Sequence, residues 1–257
     1  AGRIPGSVLL SLCSNEELEG LIIQIGYFES LHSRAYTHII KSVMPDADKA
    51  IKDEIRNNPF VSQRVAPISE VFDELYVLGL RYQLFRDELS LVEKMELEYK
   101  LRILLIKAYF ALYGLEAVLF YTSFACNFGL ANQDILQGIA NELTLIIKDE
   151  YLHAQADLAI LGILKEEWPY EFAQVLESKY PESLFRELLN IEAGWADYAM
   201  GDTVMVGLSA DILKRYSKFI ISEALKPLKI TLPELADAPK TNPISWVEKF
   251  IDLSKLQ

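Results

Sequence analysis

The chain has 257 residues, of which 51% are hydrophobic, 11% aromatic and 24% charged. That much apolar material can offset the conformational entropy of one large or two small domains, which excludes disorder and low complexity. A formal charge of −12 with no basic cluster argues against a nucleic-acid partner. Two cysteines, Cys13 and Cys126, without CxxC spacing exclude a disulfide scaffold and a structural zinc site and suit a reducing cytoplasm.

The first residues, AGRIPG, lack an initiator Met and the apolar core of a signal peptide, so the chain is expected to begin inside something longer. The run Ser14-Asn15-Glu16-Glu17 has the Ser-x-x-Glu capping-box pattern and predicts a helix to about Val43, stopped by Pro45. A short helix is expected from Ala47 to Arg56, and another from a first-turn Pro67 to about Glu88. Leu91 to Phe128 is unbroken apart from Gly114, and a further long segment runs from about Asn132 to Lys165. Shorter helices are predicted around 168–179, 182–203 and 209–226, before an end rich in proline (Pro227, Pro233, Pro239, Pro243). The longest stretch free of formal charge, Ala117 to Gln133, has 17 residues and contains Ser123, Asn127 and Asn132, too short and too polar for a bilayer span. With no hairpin turn and no internal repeat, the pattern predicts an all-α bundle whose longest helices, of about 30 residues, are ~45 Å long.

Three of those helices carry acids where apolar residues belong. The core-facing row of the first long helix reads Ile22, Ile25, Glu29, His32, Tyr36, Ile39. The segment after Asn132 repeats the pattern as Ile139, Leu143, Ile146, Glu150, His153, Ile160, and Leu91–Phe128 offers Leu105, Leu112, Glu116, Phe120, Ser123. An unpaired buried carboxylate costs several kcal/mol, so these acids need a cation, a proton or a hydrogen-bond network. Glu-x-x-His sets both side chains on one helical face, able to share a metal ion. With 24 Glu in 257 residues, a Glu stands three positions before a given histidine about one time in ten, yet two of the three histidines have one. Carboxylate and imidazole without thiolate favour iron or manganese. His38 lies off the row and is read as a surface or structural residue. Tyr36, one turn after His32, is either a core tyrosine or an oxidisable phenol beside a metal pair. Phe120, Phe124 and Ile146 are ordinary core unless they wall that phenol.

Three runs, Glu29–Ile40 (ESLHSRAYTHII), Leu115–Cys126 (LEAVLFYTSFAC) and Ile146–His153 (IIKDEYLH), together with Asn242–Trp246 (NPISW), resemble the radical-generating small subunit of class I ribonucleotide reductase. The SFAC run points to the class Ia branch. The resemblance extends in order over nearly the whole chain and implies a ferritin-like helical bundle with a dimetal centre, of two iron ions, with manganese as the alternative. It implies Glu29, His32, Glu116, Glu150 and His153 as metal ligands, Tyr36 as the radical tyrosine, and Phe120, Ser123, Phe124 and Ile146 as its pocket. It also implies Asp149 as a radical-path aspartate partnered with His32; Lys148 stands where arginine is common. The implied function is a subunit of ribonucleoside-diphosphate reductase, an oxidoreductase that makes deoxyribonucleotides for DNA synthesis in the cytoplasm. The partners are a large catalytic subunit and a second copy, with neither nucleic acid nor membrane.

The resembled centre uses four carboxylates, and three are found. The missing aspartate is expected just before Ala1, on a complementary N-terminal chain or segment of a split subunit, the favoured reading, or on an earlier part of the same polypeptide, so that 1–257 forms a single but incomplete ferritin-like domain, also without the C-terminal docking tail. A related dimetal oxidase or hydroxylase, and a ferritin-like iron-binding protein, are the alternative readings.

Overall fold

The computed structural model describes residues 4–203 and 205–251. Among the described residues the secondary structure is helical, apart from an isolated bridge between Met205 and Leu208. Helix α1, Ile4–Leu12, was not anticipated: nine residues without a cap signal give too little periodicity to read. Helix α2 spans Glu16–Val43 and is capped by Asn15, whose Oδ1 accepts from Leu18 N at 2.9 Å. The expected cap was Ser14, one residue early. Asn caps as well as Ser, and from Asn15 the acids Glu16, Glu17 and Glu19 all lie in the first turn, where the helix dipole favours them.

The single turn α3, Ala47–Lys49, continues into a π-helical stretch, Ala50–Arg56. Helix α4 runs from Pro59 to Phe85, with Asn58 Oδ1 accepting from Phe60 N at 2.9 Å. Pro67 therefore lies inside a helix and not at its start. An Asn cap followed at once by proline is the stronger start signal, and the buried Pro67 forgoes one backbone bond.

Helix α5, Leu91–Gly114, opens on a capping box in which Glu93 Oε2 accepts from Ser90 N at 2.9 Å. A π-helical turn, Leu115–Leu119, separates it from α6, Tyr121–Ala131. The run Leu91–Ala131 is long and apolar enough to cross a membrane by length and composition, but 61% of its most apolar window is buried within the bundle. After it come α7 (Gln137–Glu167), α8 (Pro169–Glu177), α9 (Tyr180–Met200) and α10 (Ala210–Leu228), then 3-10 turns at Pro233–Leu235 and Ser245–Lys249.

Two apolar clusters hold the bundle together. One gathers Phe72 and Leu75 of α4, Ile106 and Phe110 of α5, Leu161 of α7, and Phe185 and Leu188 of α9. The other gathers Phe124 and Phe128 of α6, Ile146 and Ile147 of α7, and Leu213 and Tyr216 of α10, with Tyr36 and Phe120 packed against it. Along α7 the second cluster ends at Ile147 and the first begins at Ala154; along α5–α6 the first ends at Leu119 and the second begins at Phe124. The polar residues of the rows lie at this seam. Helix α9 approaches closely there, since a Cβ on Gly114 would stand 2.7 Å from Leu188 Cδ1.

Candidate metal centre

Three helical elements deliver the five candidate ligands. Glu29 and His32 come from α2, Glu150 and His153 from α7, and Glu116 from the π-helical turn after α5. A π turn inserts an extra residue into the helix and is frequent at functional sites. His32, Glu116, Glu150 and His153 are buried, while the Glu29 side chain keeps 32% of its exposure.

One ligand atom from each of Glu29, Glu116, Glu150 and His153 lies within 4.8 Å of the others. His32 joins through Nδ1, which is 3.3 Å from both Glu29 Oε1 and Glu150 Oε1. His153 Nδ1 is 3.2 Å from Glu150 Oε2 and 3.4 Å from Glu29 Oε1. Both imidazoles thus turn the same nitrogen toward the carboxylates. The opposite nitrogen of His32, Nε2, is 3.0 Å from Asp149 Oδ2. All five residues singled out as ligands are brought together, with Asp149 behind His32. His38 is exposed and takes no part.

Electrostatics follow from this crowding. Burial opposes charge on His32, but Glu150, Glu29 and Asp149 outweigh it and push the imidazole up to about 10. His153, opposed by burial and favoured by Glu150 and Glu29, rises to about 9. Glu150 is held down to about 2 against burial by its bonds to His153 and His32. Glu116, fully enclosed and facing Glu150 and Glu29, is driven well up. In the absence of a cation, protons on imidazole and carboxyl balance the negative charge.

The donor set fits a metal. Glu29 Oε1, His32 Nδ1 and Glu116 Oε2 are buried atoms that make no well-aligned hydrogen bond among the described residues, the first two having only the ion-pair contacts of 3.3 and 3.4 Å. Such atoms are costly unless something positive lies among them. Oxygen and imidazole donors without sulfur suit iron or manganese.

Beyond His32, Tyr36 and Phe120 both pack against the cluster that contains Phe124 and Ile146, with the Phe120 and Phe124 rings 6.0 Å apart. Burial, then Glu150, Glu29 and Glu116, pushes the Tyr36 phenol far up, so it keeps its proton at neutral pH. Ser123 Oγ accepts from Arg64 Nη1 at 2.9 Å, and Arg64 Nη2 donates to Glu192 Oε1 at 2.8 Å. Arg64 also lies 4.5 Å over the Trp195 ring. Glu192 has no exposed surface, and burial lifts it to about 7 despite Arg64.

Arg64 and Glu192 are not apparent from the sequence, because their pairing spans 128 residues and α4 and α9 show no motif. Asp157 was also missed. It is buried on α7 four residues after His153, and the signal was available: it continues the row of Glu150 and His153.

Fold and donor set together define a helical bundle built around a carboxylate–imidazole cluster. Residues 6–233 match the sequence model of the family described as ribonucleotide reductase, small chain. Over 263 aligned residues the chain is 33% identical to the ribonucleoside-diphosphate reductase 1 subunit beta of Escherichia coli O157:H7, covering all of this chain and 69% of that protein. It is 27% identical to the ribonucleoside-diphosphate reductase subunit beta of Enterobacteria phage T4, again over 100% of this chain and 69% of the other. The ribonucleotide reductase R2 subunit from Clostridium botulinum shares the fold, with a TM-score of 0.74, 20% identity, and coverage of 97% of this chain and 72% of that one. The chain belongs to the ribonucleotide reductase small-chain family, a family of oxidoreductase subunits.

Proposed function

We propose that this chain is the metal-bearing subunit of a ribonucleoside-diphosphate reductase and that Tyr36 is the side chain it oxidises. The observation that carries the reading is the convergence of Glu29, His32, Glu116, Glu150 and His153 on one buried point, with Tyr36 one turn beyond His32. In this reading those five residues hold a pair of iron ions, or manganese, and Asp149 orients His32 through the bond to Nε2. When bound, the metal pair supplies one-electron oxidising power drawn from dioxygen.

The residues of the chain do the rest. Tyr36, kept neutral by burial and by three nearby glutamates, gives up its phenolic proton together with the electron. Phe120, Phe124 and Ile146 keep water from the ring, and Ser123 is held by Arg64 at the edge of the same cluster. The oxidising equivalent passes to a large catalytic subunit, which reduces the ribonucleotide; diphosphates are the substrate class indicated by the relatives' names. Two copies of the subunit pair in the assembled enzyme. A fourth carboxylate, carried on a complementary N-terminal segment, completes the donor set. On α2 only Ile22 and His32 are buried, while Ile23 and Tyr27 stay 54% and 60% exposed, which supports a further segment packing over this helix.

The test is Tyr36→Phe in the metal-loaded assembly. Metal content should be unchanged, while the tyrosyl signal in electron paramagnetic resonance and the reduction of ribonucleoside diphosphates should both disappear. Reduction that survives in Y36F would overturn the reading in favour of a dimetal oxidase chemistry.

A further inference from the structure

His32 and His153 are treated unequally by their surroundings. His32 uses Nδ1 toward the carboxylates and fixes its ring by placing Nε2 on Asp149. His153 also turns Nδ1 to Glu150 and Glu29, but its Nε2 is buried with no hydrogen-bond partner among the described residues. An N–H left in that state costs about 1 to 3 kcal/mol, and a ring anchored on one edge only is free to tilt.

One turn along α7 is Asp157, only 4% exposed. It makes no hydrogen bond or ion pair with another described residue; burial drives its carboxyl well up, and His153 is the charged neighbour that opposes this. Asp157 does not lie at ion-pair distance from His153 in the structure, but positions four apart on a helix have their Cβ atoms about 5 to 6 Å apart, so a rotation of the Asp157 side chain brings its carboxyl to the ring. Two other polar groups face Asp157 from α5. The Tyr113 hydroxyl is committed to Ala224 O at 2.7 Å, which leaves Tyr109 as the competitor.

We propose that Asp157 is the positioning residue for His153: once its side chain turns to the ring it accepts from Nε2–H and holds the Nδ1 lone pair toward the centre, the role that the 3.0 Å bond from Asp149 already serves for His32. The inference rests on the metal-centre reading for its purpose, though not for its geometry. Each imidazole then has its own carboxylate behind it, and both protons are fixed on Nε2, the tautomer a ligand binding through Nδ1 requires.

Metal-free protein labelled with 15N at histidine gives only three ring systems, assigned by replacing His32 and His38 in turn. The wild type should show a slowly exchanging, hydrogen-bonded Nε2 proton on His153. That signal should be lost in Asp157→Ala, kept in Asp157→Asn, which retains an acceptor oxygen, and unaffected by Tyr109→Phe. In the assembled protein, Mn(II) affinity should fall about 10- to 100-fold in D157A and stay near the wild-type value in D157N. A freely exchanging Nε2 proton in the wild type overturns the proposal, even if D157A does not fold. So does a D157A protein that keeps both the signal and the affinity. A wild type that binds no Mn(II) would refute the metal-centre reading instead, and the ring resonance would still decide the role of Asp157.

Discussion

Arg64→Met removes a cation from the interior and leaves its acid behind. The side chain is 14% exposed and makes three contacts that Met cannot replace: 2.8 Å to Glu192, 2.9 Å to Ser123, and the face of Trp195 at 4.5 Å. Breaking a buried pair from one side costs about 3 to 5 kcal/mol. Met refills most of the volume, so the cost comes chiefly from the stranded carboxylate. For a chain of this size that lowers Tm by roughly 6 to 20 °C, at about 2 to 4 °C per kcal/mol. The penalty also has a definite pH dependence. Burial already raises Glu192 to about 7 with Arg64 present, and losing Arg64 raises it further. A carboxyl whose folded pKa lies above its unfolded value gives stability that is fully present below the unfolded value, near 4.3, and lost as pH rises through the folded one. The R64M deficit should therefore grow between pH 5.5 and pH 8, as the stranded acid is forced to ionise. Urea unfolding followed by circular dichroism at both pH values measures it, and the double variant R64M/E192L should recover much of the loss. A deficit under about 1 kcal/mol at pH 8, or one that shrinks as pH rises, would refute the reasoning.

Other expectations concern the centre and its packing. Gly114→Ala forces a Cβ against the fully buried Leu188, whose Cδ1 would be 2.7 Å away, and should cost about 1 to 3 kcal/mol in thermal unfolding, with L188A relieving part of it. Metal binding should release protons, because His32 and His153 are raised to about 10 and about 9 without metal. Calorimetry in buffers of different ionisation enthalpy at pH 7 should register at least two protons released, and none released would contradict the geometry. The same shifts mean that the metal-free protein should lose stability as pH climbs through 9 to 10, since raised imidazoles stabilise most fully below their unfolded value near 6.5.

The rows of apolar residues in α2 and α7 made the candidate centre legible, because a helix face converts spacing directly into proximity, and Glu29, His32, Glu150 and His153 are set three apart. Glu116 was legible too, although the π-helical turn that carries it was not; a row read at 3.6 residues per turn contains no sign of an inserted residue. Local competition explains the errors at helix starts. Asn15 takes the cap expected of Ser14, and the Asn58–Pro59 pair begins the helix expected at Pro67. Arg64 and Glu192 belong to a different class of miss. Their meeting depends on how α4, α6 and α9 pack, and nothing local in either helix encodes it.

Anomalous scattering from crystals of the assembled protein, complementary N-terminal segment included, grown with Fe(II) or Mn(II) tests the central claim most directly. Two peaks about 3.5 to 4 Å apart, bounded by Glu29, His32, Glu116, Glu150 and His153, are the predicted result. No peak within that cluster, or peaks whose ligands leave out Glu150 and His153, would contradict it.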